Sequence, residues 1–168
     1  MKLKKGFPPI AEKTATVLIL GSMPGEESLR RNEYYGHPRN TFWKIMAALF
    51  EFDYSIKYDE RIKKIIKNKI ALWDVMKFCE RKGSLDTDIK NSTIIENDFY
   101  SFFNDCQNIR AVYFNGVKAE KEYLKRVLPT LSGLKRKISY MRLPSTSPAM
   151  TQVSFKAKIL EWAQIKEI

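Results

Sequence analysis

Cysteine and histidine are nearly missing from this sequence. Two cysteines, Cys79 and Cys106, occur in 168 residues. That is too few for a disulfide framework or for a four-cysteine zinc or iron–sulfur site. The single histidine, His37, cannot anchor a multi-histidine metal site, and no HExxH pattern accompanies it. A Ser–His–Asp hydrolase would need His37 as its base and a GxSxG elbow, and the elbow is missing. No Walker-type phosphate loop occurs and no GxGxxG follows an apolar run, which disfavours a nucleotide-cofactor enzyme. There is no long uncharged apolar stretch, so no spanning helix is expected. The Lys-rich start, Met1 to Pro9, lacks the apolar core of a secretory signal. From these absences we expect a cytoplasmic protein that binds no metal, no cofactor and no membrane. An enzyme so built would act by positioning and polar stabilisation of a substrate that is nearly ready to react.

Apolar residues and positive charge are what the chain does have. Hydrophobic residues make up 44% and aromatics 12%, enough to build a core, and the length suits one domain. We expect a single domain over residues 1–168 and a monomer. Thirty Lys+Arg against nineteen Asp+Glu give a net charge of +11, which attracts polyanions. Between Ile109 and Arg142 the only acids are Glu120 and Glu122. Arg110, Lys118, Lys121, Lys125, Arg126, Lys135, Arg136, Lys137 and Arg142 crowd the same stretch. They are either a solvated helix face with a soluble loop or a flank that contacts phosphates.

Short apolar runs alternate with helical periodicity. Strands are predicted at Thr16–Leu20, Ile70–Val75, Ala111–Phe114 and Ser139–Leu143. Helices are predicted at Asn40–Phe50, Asp59–Asn68, Ser92–Phe103, Lys118–Leu128 (stopping at Pro129) and Ser154–Ile165. The alternation predicts an α/β fold: a three-layer α/β/α sandwich with a short, mostly parallel four-stranded central sheet. Such sheets keep their working groups at the carboxyl ends of the strands. Those ends are Gly21-Ser22-Met23-Pro24-Gly25, Asp74-Val75, Asn115-Gly116 and Leu143-Pro144-Ser145-Thr146-Ser147-Pro148.

The densest unusual segment is Tyr34-Tyr35-Gly36-His37-Pro38-Arg39-Asn40-Thr41-Phe42-Trp43. Phe42 and Trp43 have the spacing of core residues. Asn40 sits where a helix begins, and capping that helix is compatible with presenting an amide to a pocket.

Together these segments resemble the uracil-DNA glycosylase superfamily, and within it the hypoxanthine (deoxyinosine) DNA glycosylase branch. The resemblance runs through Leu18–Gly25, Tyr34–Trp43, Ala71–Val75 with Gly83–Asp86, Tyr113–Gly116 and Leu143–Ala149, in the family's order. The mismatch-specific uracil glycosylases are similar around the His-Pro-x-Asn and Phe-Trp positions. They carry a catalytic Asn where this chain has Met23, a thioether that can neither orient water nor donate to a base. The branch assigns the catalytic amide to the His-Pro-x-Asn segment, which places it on Asn40. Met150 stands where the branch commonly has Asn.

The resemblance implies a monofunctional enzyme that flips a deaminated base, hypoxanthine or uracil, out of DNA and leaves an abasic site. Asn40 would orient a water or polarise the base. Tyr35 would stack on the base, and the backbone of Gly21, Ser22 and Met23 would line its pocket. Asn115 is either a base-edge reader or a simple Asn-Gly turn residue. His37 either contacts a phosphate, polarises the pocket or holds its own turn. Ser145 and Ser147 would hold phosphates, and Thr146 to Met150 would wedge into the gap left by the base. A mismatch-type uracil glycosylase, a non-catalytic DNA-binding domain and an α/β enzyme acting on free nucleosides are the alternatives.

Overall fold

The computed structural model describes residues 2–134 and 136–167. In chain order its elements are β1 (Lys2–Lys5), β2 (Val17–Gly21), α1 (Glu26–Arg31), α2 (Phe42–Phe50) and α3 (Tyr58–Lys67). Then come β3 (Ile70–Asp74), β4 (Met76–Arg81), β5 (Ile95–Glu96), α4 (Phe99–Asp105), β6 (Ala111–Asn115), α5 (Val117–Glu122), β7 (Ser139–Leu143) and α6 (Phe155–Trp162).

Four strands form the central sheet in the order β3-β2-β6-β7, and every pairing is parallel. Successive side chains of a strand point to opposite faces, and the core divides accordingly. Leu18, Leu20, Trp73, Val112 and Phe114 pack with Phe99 and Phe103 of α4 and with Ala119 and Tyr123. Val17, Ile19, Leu72, Ala111 and Tyr113 pack with Phe42, Ile45 and Met46 of α2, Ile65 of α3 and Trp162 of α6. Both faces are thus covered, which is why the inner strands are apolar without alternation. The predicted α/β/α sandwich is the observed one. Parallel pairing also sets Gly21, Asp74, Asn115 and Leu143, the last residues of the four strands, along one rim.

Other expectations fail for local reasons. The helix predicted over Ser92–Phe103 is a 3-10 turn at Asn91–Thr93, a short strand β5 against β4, and a helix that starts only at Phe99. Asn97 Nδ2 donates to the Asp74 carbonyl at 2.8 Å and holds this stretch against the end of β3. Asp98 then accepts the Ser101 N–H at 3.0 Å and caps α4 late. The stop predicted at Pro129 is passed as well. The chain beyond α5 widens into a π turn at Tyr123–Val127 and continues as a 3-10 turn over Leu128–Leu131. Pro129 sits in the first turn of that last piece, where its missing N–H goes unneeded. The small antiparallel sheet β1-β4-β5 and the six-residue α1 were not predicted at all. Among the described residues no helix is long and apolar enough to cross a membrane.

Candidate active site at the carboxyl rim of the sheet

The rim opens into a cleft of about 870 Å³. All eleven residues named from the sequence border it: Gly21, Ser22, Met23, Tyr35, His37, Asn40, Asn115, Ser145, Thr146, Ser147 and Met150. They come from four separate stretches of chain that the parallel sheet brings together.

Asn40 is fixed by the start of α2. Its Oδ1 accepts the Phe42 N–H at 2.9 Å, so the amide is oriented and Nδ2 is its free end. Among the described residues Nδ2 makes no hydrogen bond, and Asn40 borders the cleft. Asn40 therefore caps the helix and offers N–H donors to the cleft at once. Thr41 holds the N-cap position without a side-chain cap. Its N–H and hydroxyl donate instead to the Thr146 carbonyl at 3.0 and 3.3 Å. His37 closes the preceding turn: its carbonyl accepts the Asn40 N–H at 2.8 Å and its Nδ1 accepts the Arg39 N–H at 3.1 Å. A neutral ring then carries its proton on Nε2.

Tyr35 adopts a left-handed backbone, with φ of 56°, and its ring stacks on Phe42 at 4.0 Å with 23° between planes. One ring face is thus covered by Phe42, while the residue still borders the cleft. Its hydroxyl is buried without a hydrogen-bond partner. Burial, reinforced by the nearby Asp74 charge and only partly offset by the adjacent Asn115 side chain, raises its pKa and keeps it protonated. A Cβ on Gly21 would stand 2.3 Å from Asp74 Oδ1 and 3.3 Å from the Tyr35 hydroxyl. Only glycine leaves room for these two polar groups to approach β2 there. Asp74 is 3% exposed, and its Oδ2 has no partner. Burial, with help from the negative Asp86 and against the pull of Arg81, raises its carboxyl to about 7.

The loop after β7 is tied down from several sides. Asn115 Nδ2 donates to Thr146 Oγ1 and Asn115 Oδ1 accepts the Thr146 N–H, both at 2.9 Å. Trp162 Nε1 donates to the Pro144 carbonyl and Lys158 Nζ to the Met150 carbonyl, each at 3.0 Å. These contacts bear on two expectations. Asn115 spends both ends of its amide on Thr146, so it is first a clasp between strand and loop. Thr146 is wholly buried, so its side chain adds no surface to the wedge expected over Thr146 to Met150. Ser145 and Ser147 accept the N–H groups of Ser147 and Ala149 through Oγ, which leaves each hydroxyl proton free to donate. Met150 is half-buried, while Ala149 and Thr151 are exposed.

The basic stretch 109–142 is also more structural than expected. Arg126 is spent on Glu122 and on the Ile94 and Asn91 carbonyls, Arg136 on the Phe103 and Cys106 carbonyls, and Arg142 on Glu120. Lys118 and Lys121 border the cleft, together with Arg39, and Lys118 is tied to Glu122 at 3.0 Å. Lys135 lies outside the described residues. Among the described residues no three His, Cys, Asp or Glu side chains gather to hold a metal ion.

Residues 8–164 match the family described as the uracil DNA glycosylase superfamily. The chain belongs to that superfamily. A protein of Methanosarcina barkeri named hypoxanthine DNA glycosylase is 39% identical over 163 residues, covering 96% of each chain. A protein of the same name from Methanosarcina acetivorans is 38% identical over 149 residues, covering 83% of this chain and 93% of that one. A solution NMR structure of a candidate uracil DNA glycosylase, also from Methanosarcina acetivorans, superposes with a TM-score of 0.80 at 34% identity. That superposition covers 98% of this chain and 97% of the other.

In this member of the superfamily, the Met23 side chain packs with Met76, Cys79, Ile89 and Ile94 beneath the small sheet. Ser22 Oγ donates to Asp86 Oδ1 at 2.6 Å. The Gly21 and Ser22 carbonyls accept the Val75 and Met76 N–H groups. The first superfamily loop is therefore largely held by structure. Reading the sequence missed Asp74, whose one signal was an acid closing an apolar strand. It also missed Arg81, buried and donating to the Pro24 and Gly83 carbonyls, which braces that loop.

Proposed function

We propose that the protein is a monofunctional DNA glycosylase. It takes hypoxanthine out of the helix, hydrolyses its N-glycosidic bond and leaves the strand uncut. The observation that supports this best is Asn40: an amide locked by α2 with its donors free, on the same cleft as Tyr35, in a chain 39% identical to a named hypoxanthine DNA glycosylase. Extruding a stacked base costs a few kcal/mol, least where pairing is already damaged. The base then enters the cleft beside Tyr35, and stacking on such a ring is typically worth about 1–3 kcal/mol. As the C1′–N bond breaks, its electron pair leaves with the base. Asn40 Nδ2 donates to the base where that charge collects, which stabilises the transition state more than the ground state. Water completes the reaction at C1′. Deamination replaces an exocyclic donor with a carbonyl acceptor, so a site of fixed donors discriminates against the undamaged base. The phosphates flanking the base are held by the hydroxyls of Ser145 and Ser147 and by Lys121 and Arg39. The protein acts as a monomer.

Asn40→Asp tests the role directly, because a carboxylate still accepts the Phe42 N–H but donates nothing. Its single-turnover release of hypoxanthine from duplexes should fall on the order of a hundredfold, with an unchanged melting temperature. Wild-type rates in this variant would remove Asn40 from catalysis. Parallel duplexes containing deoxyuridine establish whether uracil is also removed, and base release from neither duplex would refute the enzyme.

A further inference from the structure

Among the described residues three carboxyl groups border the cleft, and two of them are committed. Glu27 is paired with Arg30 and Arg31 at 2.6 Å each, and Asp86 accepts the Ser22 hydroxyl at 2.6 Å. The third is Asp74, whose Oδ2 is buried without a partner at the end of β3. The Tyr35 hydroxyl, equally without a partner, faces the same Gly21 position. Buried polar groups normally find partners, so two orphans on one cleft mark a place that a ligand completes. We propose that Asp74 is a catalytic acid of this site, holding a proton that its carboxyl shares with the carbonyl oxygen of the extruded base as the glycosidic bond breaks. This rests on the glycosylase reading above and extends it to a second reacting group.

The chemistry asks for such an acid. The bond's electron pair departs with the base and spreads toward its carbonyl oxygen. An ionised carboxyl beside that oxygen would repel the growing charge, whereas a protonated one stabilises it. The Asp74 proton passes to the base and the C1′–N bond breaks. A water oxygen bonds to C1′, and the proton it sheds returns to the Asp74 carboxylate. The net change is one water added, and the acid is restored. The groups facing Asp74 allow this state near neutrality. Among the described residues Arg81 on β4 is the cation that acts on it, opposed by the Asp86 carboxylate, and Tyr34, Tyr35 and Tyr58 complete the surroundings. An incoming base removes more water and favours the neutral acid further.

The test is single-turnover release of hypoxanthine from deoxyinosine duplexes between about pH 5 and about pH 9, for wild type, Asp74→Asn and Asp74→Leu. Wild-type rates should fall about tenfold per pH unit above the Asp74 titration, because only the protonated form works. Asp74→Asn should show no such limb, since its amide donates but does not titrate. Asp74→Leu should lose on the order of a hundredfold. Equal binding of all three proteins to an abasic-site duplex certifies their folding. If Asp74→Leu does not fold, the profile of Asp74→Asn decides alone. A wild-type rate in Asp74→Leu, or the wild-type inflection surviving in Asp74→Asn, overturns the acid while leaving the glycosylase intact. No release by wild type itself overturns the glycosylase.

Discussion

Asp74 carries a thermodynamic cost that can be measured without any DNA. Its carboxyl titrates at about 7 in the folded chain against 3.8 as an unperturbed group. The folded state therefore binds a proton that the unfolded state has lost across that window. Stability contributed at this position is full at low pH and declines as pH rises from about 4 to about 7. Asp74→Asn removes the decline. In urea unfolding it should exceed wild type by on the order of 2–4 kcal/mol near pH 8 and match it near pH 4. A site residue that lowers stability where the enzyme works is a familiar trade. This same residue showed in the sequence only as an acid at a strand end. Asn40, His37 and Tyr35 stand in a run whose turn and cap chemistry is local. What matters about Asp74 is long-range: a missing Cβ at Gly21, a missing partner for Oδ2, and burial by other elements.

Helix α6 shows how an element remote in sequence shapes the cleft. Two of its side chains, Lys158 and Trp162, donate to carbonyls of the loop after β7. Lys158 is 3% exposed, and burial lowers its pKa. Lys158→Met keeps the apolar stem and removes the bond to Met150. We expect substrate DNA to bind roughly fivefold to thirtyfold more weakly, as the loss of about 1–2 kcal/mol of loop support implies. The rate at saturating enzyme should change little, and a titration of single-turnover rate against enzyme concentration separates the two effects. The helix itself was legible from its spacing and from Ser154, which accepts the Ala157 N–H as a cap. Its inward lysine was not, because an amphipathic pattern gives no hint that one charge has a carbonyl to meet. The failed helix over residues 92–103 has the same origin. Asn97 obeys a tertiary hydrogen bond to β3 in place of its local preference.

At the scale of the molecule, charge and architecture were legible to different degrees. The sandwich follows from alternating apolar runs and helical periods, which the core division between two sheet faces reproduces. The charge of +11 pointed to polyanions, but not to which bases are free. Ion pairs and carbonyl contacts absorb Arg126, Arg136 and Arg142, leaving a narrower footprint near Arg39 and Lys121. Binding to an abasic-site duplex should weaken linearly in log–log form with added salt. Arg39→Gln and Lys121→Gln should each reduce the slope by about 1. Fluorescence anisotropy across a salt series checks this, and unchanged slopes would move the phosphate track elsewhere.

The loop over Pro144–Met150 reaches the cleft already moored to a strand and two helices, through Asn115, Thr41, Trp162 and Lys158. A loop so held has its shape before any contact, with little disorder left to lose if it meets a duplex as proposed. On the glycosylase reading proposed above, such an enzyme would need no rebuilding at each stop along DNA, and its pace would follow how readily a weakened pair swings open by itself.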